Sequence, residues 1–178
     1  MQPQTPRVFT HKELVEIAYK WVLKNASCGI AFKELVTSAS EEIADVIGFG
    51  AWQHSVLIEC KVSRSDFFSD KKKIFRQYPE RGMGRQRFYC CPKGLINKEE
   101  LPEGWGLLYV DEKGKCRAEY SPYNGNIEIR HKGFQVNVTA EMGVMYSALR
   151  RLHLRGRIVE IYEELQQKRD ERKRIMEL

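Results

Sequence analysis

The stretch that decides the fold is Glu42-Ile-Ala-Asp45-Val-Ile-Gly48, followed across a short turn by Ser55-Val-Leu-Ile-Glu59-Cys-Lys61-Val62. Successive side chains of a strand point to opposite faces. Val56, Ile58, Cys60 and Val62 therefore share one face, and Leu57, Glu59 and Lys61 the other. If 43–48 and 56–61 form a hairpin turning about Trp52, paired residue numbers sum to about 104. Asp45 then faces Glu59, with directly opposed Cβ atoms about 4.5–5.5 Å apart. Two carboxylates that close repel unless a cation or a proton lies between them. With Lys61 beside them, they form a constellation able to hold a divalent cation against a phosphodiester.

The triplet alone is weak. Acid-x-Lys also occurs at Asp70-Lys-Lys72, Asp111-Glu-Lys113 and Glu171-Arg-Lys173. Those three fall in a basic helix, a turn and a charged tail. Only Glu59-Cys-Lys61 interrupts an apolar, β-rich run, where an unpaired charge is costly. The competing account is an edge-strand ion pair between Glu59 and Lys61, with Asp45 a surface residue near the turn.

Working outward, Thr10-His-Lys-Glu13 fits a capping box, and Leu14, Ile17, Ala18, Trp21 and Val22 recur at helical spacing, which predicts a helix to about Asn25. Residues 27–36 read as a first strand carrying Glu34. Ser63-Arg-Ser-Asp66 fits a second capping box and opens a helix through Phe67, Phe68, Ile74 and Phe75, ending before Pro79. Arg87–Cys91 is a strand stopped by Pro92, residues 97–101 a short helix, and Trp105–Val110 a core strand. Turn signals at Lys113-Gly114, Asn124-Gly125 and Lys132-Gly133 predict irregular or hairpin structure over 111–138. From Thr139 the chain reads as helix, with Met142, Met145, Tyr146, Leu149 and Leu152 in a stripe expected to pack in the core or between copies. A break at Gly156 precedes a second helix through Leu165. The last residues, from Glu163, balance five basic against five acidic side chains. They read as a solvated helix or a partner-binding tail.

The 178 residues suffice for one domain with a real core, and 42% apolar and 30% charged residues indicate a globular chain. No apolar run approaches a membrane span and no signal-peptide pattern opens the chain, so no membrane partner and a cytoplasmic location are expected. Five cysteines without a C-x-x-C pair (Cys28, Cys60, Cys90, Cys91, Cys116) argue for reduced thiols over zinc or a disulfide scaffold. The net charge of +6 is local. Residues 71–93 hold Lys71, Lys72, Lys73, Arg76, Arg81, Arg85, Arg87 and Lys93 against Glu80 alone. Such a patch is the footprint of a polyanion partner, although basic runs are also ordinary solvated faces.

The order helix, strand, strand with Asp, strand with Glu-x-Lys, helix, strand resembles the α-β-β-β-α-β core of the PD-(D/E)XK nuclease superfamily. Within that superfamily the chain resembles the MmcB-like family, bacterial proteins associated with DNA repair. The residues that carry the likeness are Ile43-Ala-Asp45-Val, Ile58-Glu59-Cys-Lys61, Ser63-Arg-Ser-Asp66-Phe, Asp70-Lys-Lys72, Arg87-Phe-Tyr-Cys-Cys-Pro92 and Gly106-Leu-Leu, within about residues 30–110. One departure is Ala44 where the superfamily's name has proline.

The resemblance implies a restriction-endonuclease-like mixed α/β sheet, with a core of about 10–110, an insert of about 111–138 and C-terminal helices over 139–178, all in one domain. It implies Asp45 and Glu59 as ligands of Mg²⁺, with Mn²⁺ as a substitute. The Cys60 backbone carbonyl is a further ligand, and Glu34 an acid that completes the site. Lys61 faces the scissile phosphate and the attacking water, and Lys72 reaches the phosphate from the helix. Lys71, Lys72, Lys73, Arg76, Arg81, Arg85 and Arg87 become the nucleic-acid contacts, to DNA ahead of RNA. Two alternatives stay open: a nuclease fold that binds nucleic acid without turnover, and an interaction protein or homodimer acting through residues 139–178.

The remaining candidates rank lower. His11, His54, His131 and His153 are scattered, with His54 at the turn nearest the site. Trp52 reads as a stacking platform or a cap on the core edge. Gly82-x-Gly84 is too short for a phosphate-binding fingerprint.

Overall fold

The computed structural model describes residues 7–38, 40–124 and 133–162. Helix α1 (His11–Asn25) starts where the capping box places it: Thr10 Oγ1 accepts from the Glu13 N–H, and Glu13 Oε2 accepts from the Thr10 N–H at 2.8 Å. Its apolar side, Leu14, Val15, Ala18 and Val22, is buried. Six strands follow in one sheet whose spatial order is their chain order: β1 (Ile30–Lys33), β2 (Val46–Phe49), β3 (Ser55–Cys60), β4 (Gln86–Pro92), β5 (Trp105–Val110) and β6 (Cys116–Tyr120). β1, β2 and β3 are antiparallel neighbours, β3, β4 and β5 run parallel, and β6 returns antiparallel to β5. The result is a mixed, open α/β sheet.

The hairpin register is the one the sequence implies, with Val46 opposite Ile58 and Phe49 opposite Ser55. Alternation holds as well. Val56, Ile58 and Cys60 join α1 in one core layer, while Leu57 packs with Phe67, Tyr89, Leu107, Ala140 and Val144 in the other. The parallel crossover from β3 to β4 carries α2 (Arg64–Asp70), capped by Ser63 Oγ accepting the Asp66 N–H, and α3 (Ile74–Gln77). Helix α4 (Val138–Leu154) covers the second layer.

Several sequence expectations are corrected. The first strand is four residues long, so Glu34 lies just past it, at φ 46°. The expected helix through Phe75 is two helices, because the chain turns at 71–73. The short helix near 97–101 is one 3₁₀ turn, Lys98–Glu100. The hairpin expected within 111–138 is present: β6 pairs antiparallel with β5 across the Lys113-Gly114 turn. The stripe expected in the core or between copies lies outside the core, with Met145 and Leu152 half-buried. Val138, Met142, Tyr146 and Leu149 are exposed, because α4 rests on the opposite side, through Ala140 and Val144. Gly156 takes the left-handed φ of 68° just beyond α4. The expected turns at Asn124-Gly125 and Lys132, most of the second C-terminal helix and the charged tail lie outside the described residues.

Candidate functional site

Asp45 immediately precedes β2, and Glu59 and Lys61 lie at the end of β3. The ladder stops at Val46, so Asp45 is free to turn inward, and its Oδ2 accepts the Cys60 N–H at 2.7 Å. Cys60 thus meets Asp45 through its amide.

Behind this edge lies a buried ion network. Lys61 Nζ donates to Glu59 Oε2 at 3.2 Å and stands 3.4 Å from Asp70 Oδ1 and 3.8 Å from Asp66. Arg76 from α3 reaches three carboxylates: Nη1 to Glu42, Nη2 at 3.0 Å from Glu59 Oε1, and Nε to Asp70 Oδ2 at 2.9 Å. Tyr89 adds its hydroxyl to Asp70 Oδ2 at 2.8 Å, and Lys73 closes the rim at 2.8 Å from Asp70 Oδ1. The guanidinium also lies 5.0 Å over the Trp105 ring, itself stacked on Tyr89. Glu42, Glu59, Lys61 and Asp70 are all at most 3% exposed. Arg76 Nη2 misses hydrogen-bond geometry, which leaves Glu59 Oε1 buried with no hydrogen bond.

The electrostatics follow from burial. Desolvation raises Glu59 from 4.5 to about 7; Asp45 and Asp70 push the same way, against Arg76 and Lys61. Burial works against the Lys61 ammonium, yet Glu59, Asp70, Asp66 and Asp45 together hold its pKa above the usual lysine value. Burial would raise Asp70, but Arg76, Lys61 and Lys73 outweigh it and hold that carboxyl well below the ordinary range. The network therefore favours the charged form of Lys61 and the ionised form of Asp70, while burial favours the protonated form of Glu59.

On the outer side of Asp45 stands a residue that the sequence pattern missed. His11 Nε2 is 3.3 Å from Asp45 Oδ2, and its Nδ1 is 3.8 Å from Glu34 Oε1. These three side chains offer ligand atoms within 4.8 Å of one another. Asp45, Glu34 and His11 thus fit a divalent cation, Mg²⁺ through the oxygens or Mn²⁺ through all three. Glu59 fits only if Arg76 Nη2 withdraws, since both its oxygens already face cations. No periodicity marks His11, because it faces the site through the first turn of α1 at the sheet's end. His54, the histidine favoured by position, is elsewhere: its Nε2 lies 2.7 Å from the Ala26 carbonyl.

The basic segment divides. Arg76 and Arg87, expected to contact nucleic acid, are buried. Arg87 donates to the carbonyls of Gly84, Pro79 and Phe75, holding the 75–84 loop, and burial lowers its pKa to about 10. Both serve the fold in this structure. Lys71 donates to the Glu100 carbonyl, and Arg85 Nη2 to Gln53 Oε1 at 2.9 Å. Lys72, Lys73 and Arg81 are exposed. The Gly82-Met-Gly84 loop receives carboxylates from within the chain: the Met83 N–H donates to Glu42 and the Gly84 N–H to Glu141 Oε1. Gly84 has φ 81°, and a Cβ there would stand 2.4 Å from the Leu57 Cβ.

Comparison with known proteins adds fold and little else. No family model matches the chain, and no curated protein matches it. Among solved structures, a protein of unknown function from Silicibacter pomeroyi matches with a TM-score of 0.53 and 24% identity, over 83% of this chain and 92% of its own. That likeness is one of fold alone. No helix among the described residues is long and apolar enough to cross a membrane.

Proposed function

We propose that this protein is a metal-dependent phosphodiesterase of the PD-(D/E)XK type, with a restriction-endonuclease-like core, that acts on DNA in repair or processing. The supporting observation is the convergence of Asp45, Glu59 and Lys61 at the ends of two paired strands, with His11 and Glu34 beside Asp45. Mg²⁺, or Mn²⁺ in its place, would be held by Asp45 and Glu34 with His11 adjoining. When bound, it supplies Lewis acidity that activates water and offsets phosphate charge. Lys61, kept charged by its carboxylate neighbours, adds positive charge toward the phosphate and orients the attacking water. Glu59 Oε1 carries no hydrogen bond, and a pKa near 7 suits it to exchange a proton there. Exposed Lys72, Lys73 and Arg81 hold flanking phosphates, contacts that weaken with salt and read no sequence. Five free thiols suit a reducing, cytoplasmic setting.

The test is cleavage of DNA in Mg²⁺. Asp45→Ala and Lys61→Ala both abolish it; undiminished cleavage in both variants overturns the reading. A second reading is favoured by one contact, Arg76 Nη2 at 3.0 Å from Glu59 Oε1, where cationic charge from the protein already meets the carboxylate. In that case the fold binds nucleic acid without turnover. Binding of single-stranded, duplex and branched DNA with no cleavage in Mg²⁺ or Mn²⁺ identifies it.

A further inference from the structure

The β2–β3 turn holds an unusual tryptophan. The His54 N–H donates to the Ala51 carbonyl across a four-residue turn whose central residues, Trp52 and Gln53, have φ of 58° and 59°. Such a turn favours Asn-Gly, and a bulky side chain in this region is an outlier that invites a functional reason. Trp52 is 90% exposed, so packing does not offset the conformation. The turn is anchored all the same, by Arg85 on Gln53 and by His54 against Ala26 at the end of α1.

Beside Trp52 opens a cavity of about 1020 Å³, bounded by the end of α1, the start of β4 and β6. Its walls include Trp21, Phe88 and Tyr123, with Phe88 in edge contact with both other rings at 5.5 Å. Lys115 and Arg117 also line it, and among the described lining residues there is no carboxylate. β3 separates this end of the sheet, at Ser55, from Glu59 by about 13 Å, at about 3.3 Å per residue.

A flat exposed ring, an aromatic-walled cavity and two lining cations with no carboxylate among the described lining residues match one ligand chemistry: a planar base joined to a phosphate. We propose that Trp52 and this cavity form a subsite for an unpaired nucleotide of a nucleic-acid strand, its base stacked on Trp52 and its phosphate met by Lys115 and Arg117. The inference rests on the nucleic-acid reading above for the polymer and is independent of cleavage.

The test uses the full chain in EDTA with a short fluorescein-labelled oligothymidylate, followed by anisotropy and by intrinsic tryptophan fluorescence. The wild type binds with quenching. Trp52→Ala weakens single-strand binding about tenfold and removes most of the quenching, whereas Trp52→Phe retains most of the affinity. Lys115→Glu with Arg117→Glu weakens binding and flattens its salt dependence. Duplex binding is unchanged by Trp52→Ala; an equal loss on duplex overturns the unpaired-base subsite. If Trp52→Ala binds normally while Lys72→Glu with Arg81→Glu does not, the subsite fails and the nucleic-acid reading survives. If the wild type binds neither probe, both fail.

Discussion

Arg76 Nη2 stands 3.0 Å from Glu59 Oε1, so the carboxylate that the sequence nominates as a metal ligand is met inside the protein by a guanidinium from a helix fifteen residues downstream. Arg76 also reaches Glu42, before β2, and Asp70, at the end of α2. One side chain thus ties together the three segments that surround the site.

That position makes Arg76 a stability residue. Arg76→Met leaves Glu59 with Lys61 as its remaining ion-pair partner and Glu42 with no ion pair among the described residues, and removing one partner from a buried network costs roughly 3–5 kcal/mol. Urea unfolding measures the loss; a change below about 1 kcal/mol contradicts the ion network as drawn.

The raised pKa of Glu59 gives a pH dependence of definite sign. Between 4.5, its unfolded value, and about 7, the folded protein holds a proton that the unfolded chain releases. Stability from this group therefore falls as pH rises through that window. Asp70 acts oppositely: its contribution is present above its ordinary value of 3.8 and is lost in acid. Glu59→Gln removes the first effect alone. Relative to wild type, the variant gains on the order of 2 kcal/mol between pH 4.5 and 7 in EDTA. Parallel stability curves for the two proteins rule out the shift.

His11 and Glu34 lead to a prediction for metal binding. In Mn²⁺ titrations read by electron paramagnetic resonance, His11→Ala and Glu34→Ala each weaken affinity about tenfold or more, the scale set by losing a group that holds or orients an ion. Arg76→Lys leaves the affinity near that of the wild type. Equal Mn²⁺ affinity in wild type and in both the His11 and Glu34 variants removes the ion from this position.

The strand alternation and hairpin register were legible because they are local. A period of two sorted Val56, Ile58 and Cys60 from Leu57, Glu59 and Lys61, and the turn at Trp52 set Val46 against Ile58. Capping chemistry placed the start of α1 at Thr10 and of α2 at Ser63 for the same reason. The α4 stripe lies outside the core because periodicity locates an apolar face without saying which way it points. Ala140 and Val144 are small enough to let α4 approach the sheet, so the larger Met142 and Tyr146 face out.

The sequence by itself determined the sheet-forming runs, their facing and the pairing that brings Asp45 toward Glu59. Tertiary structure alone decided that His11 stands beside Asp45, that Arg76 and Arg87 are buried, and that Lys61 is caged by carboxylates. The reason is physical. Strand facing depends on neighbours one or two residues away, whereas the partner of a charge depends on which distant segment is packed against it. Burial then sets whether that charge serves the fold or is free to meet a ligand.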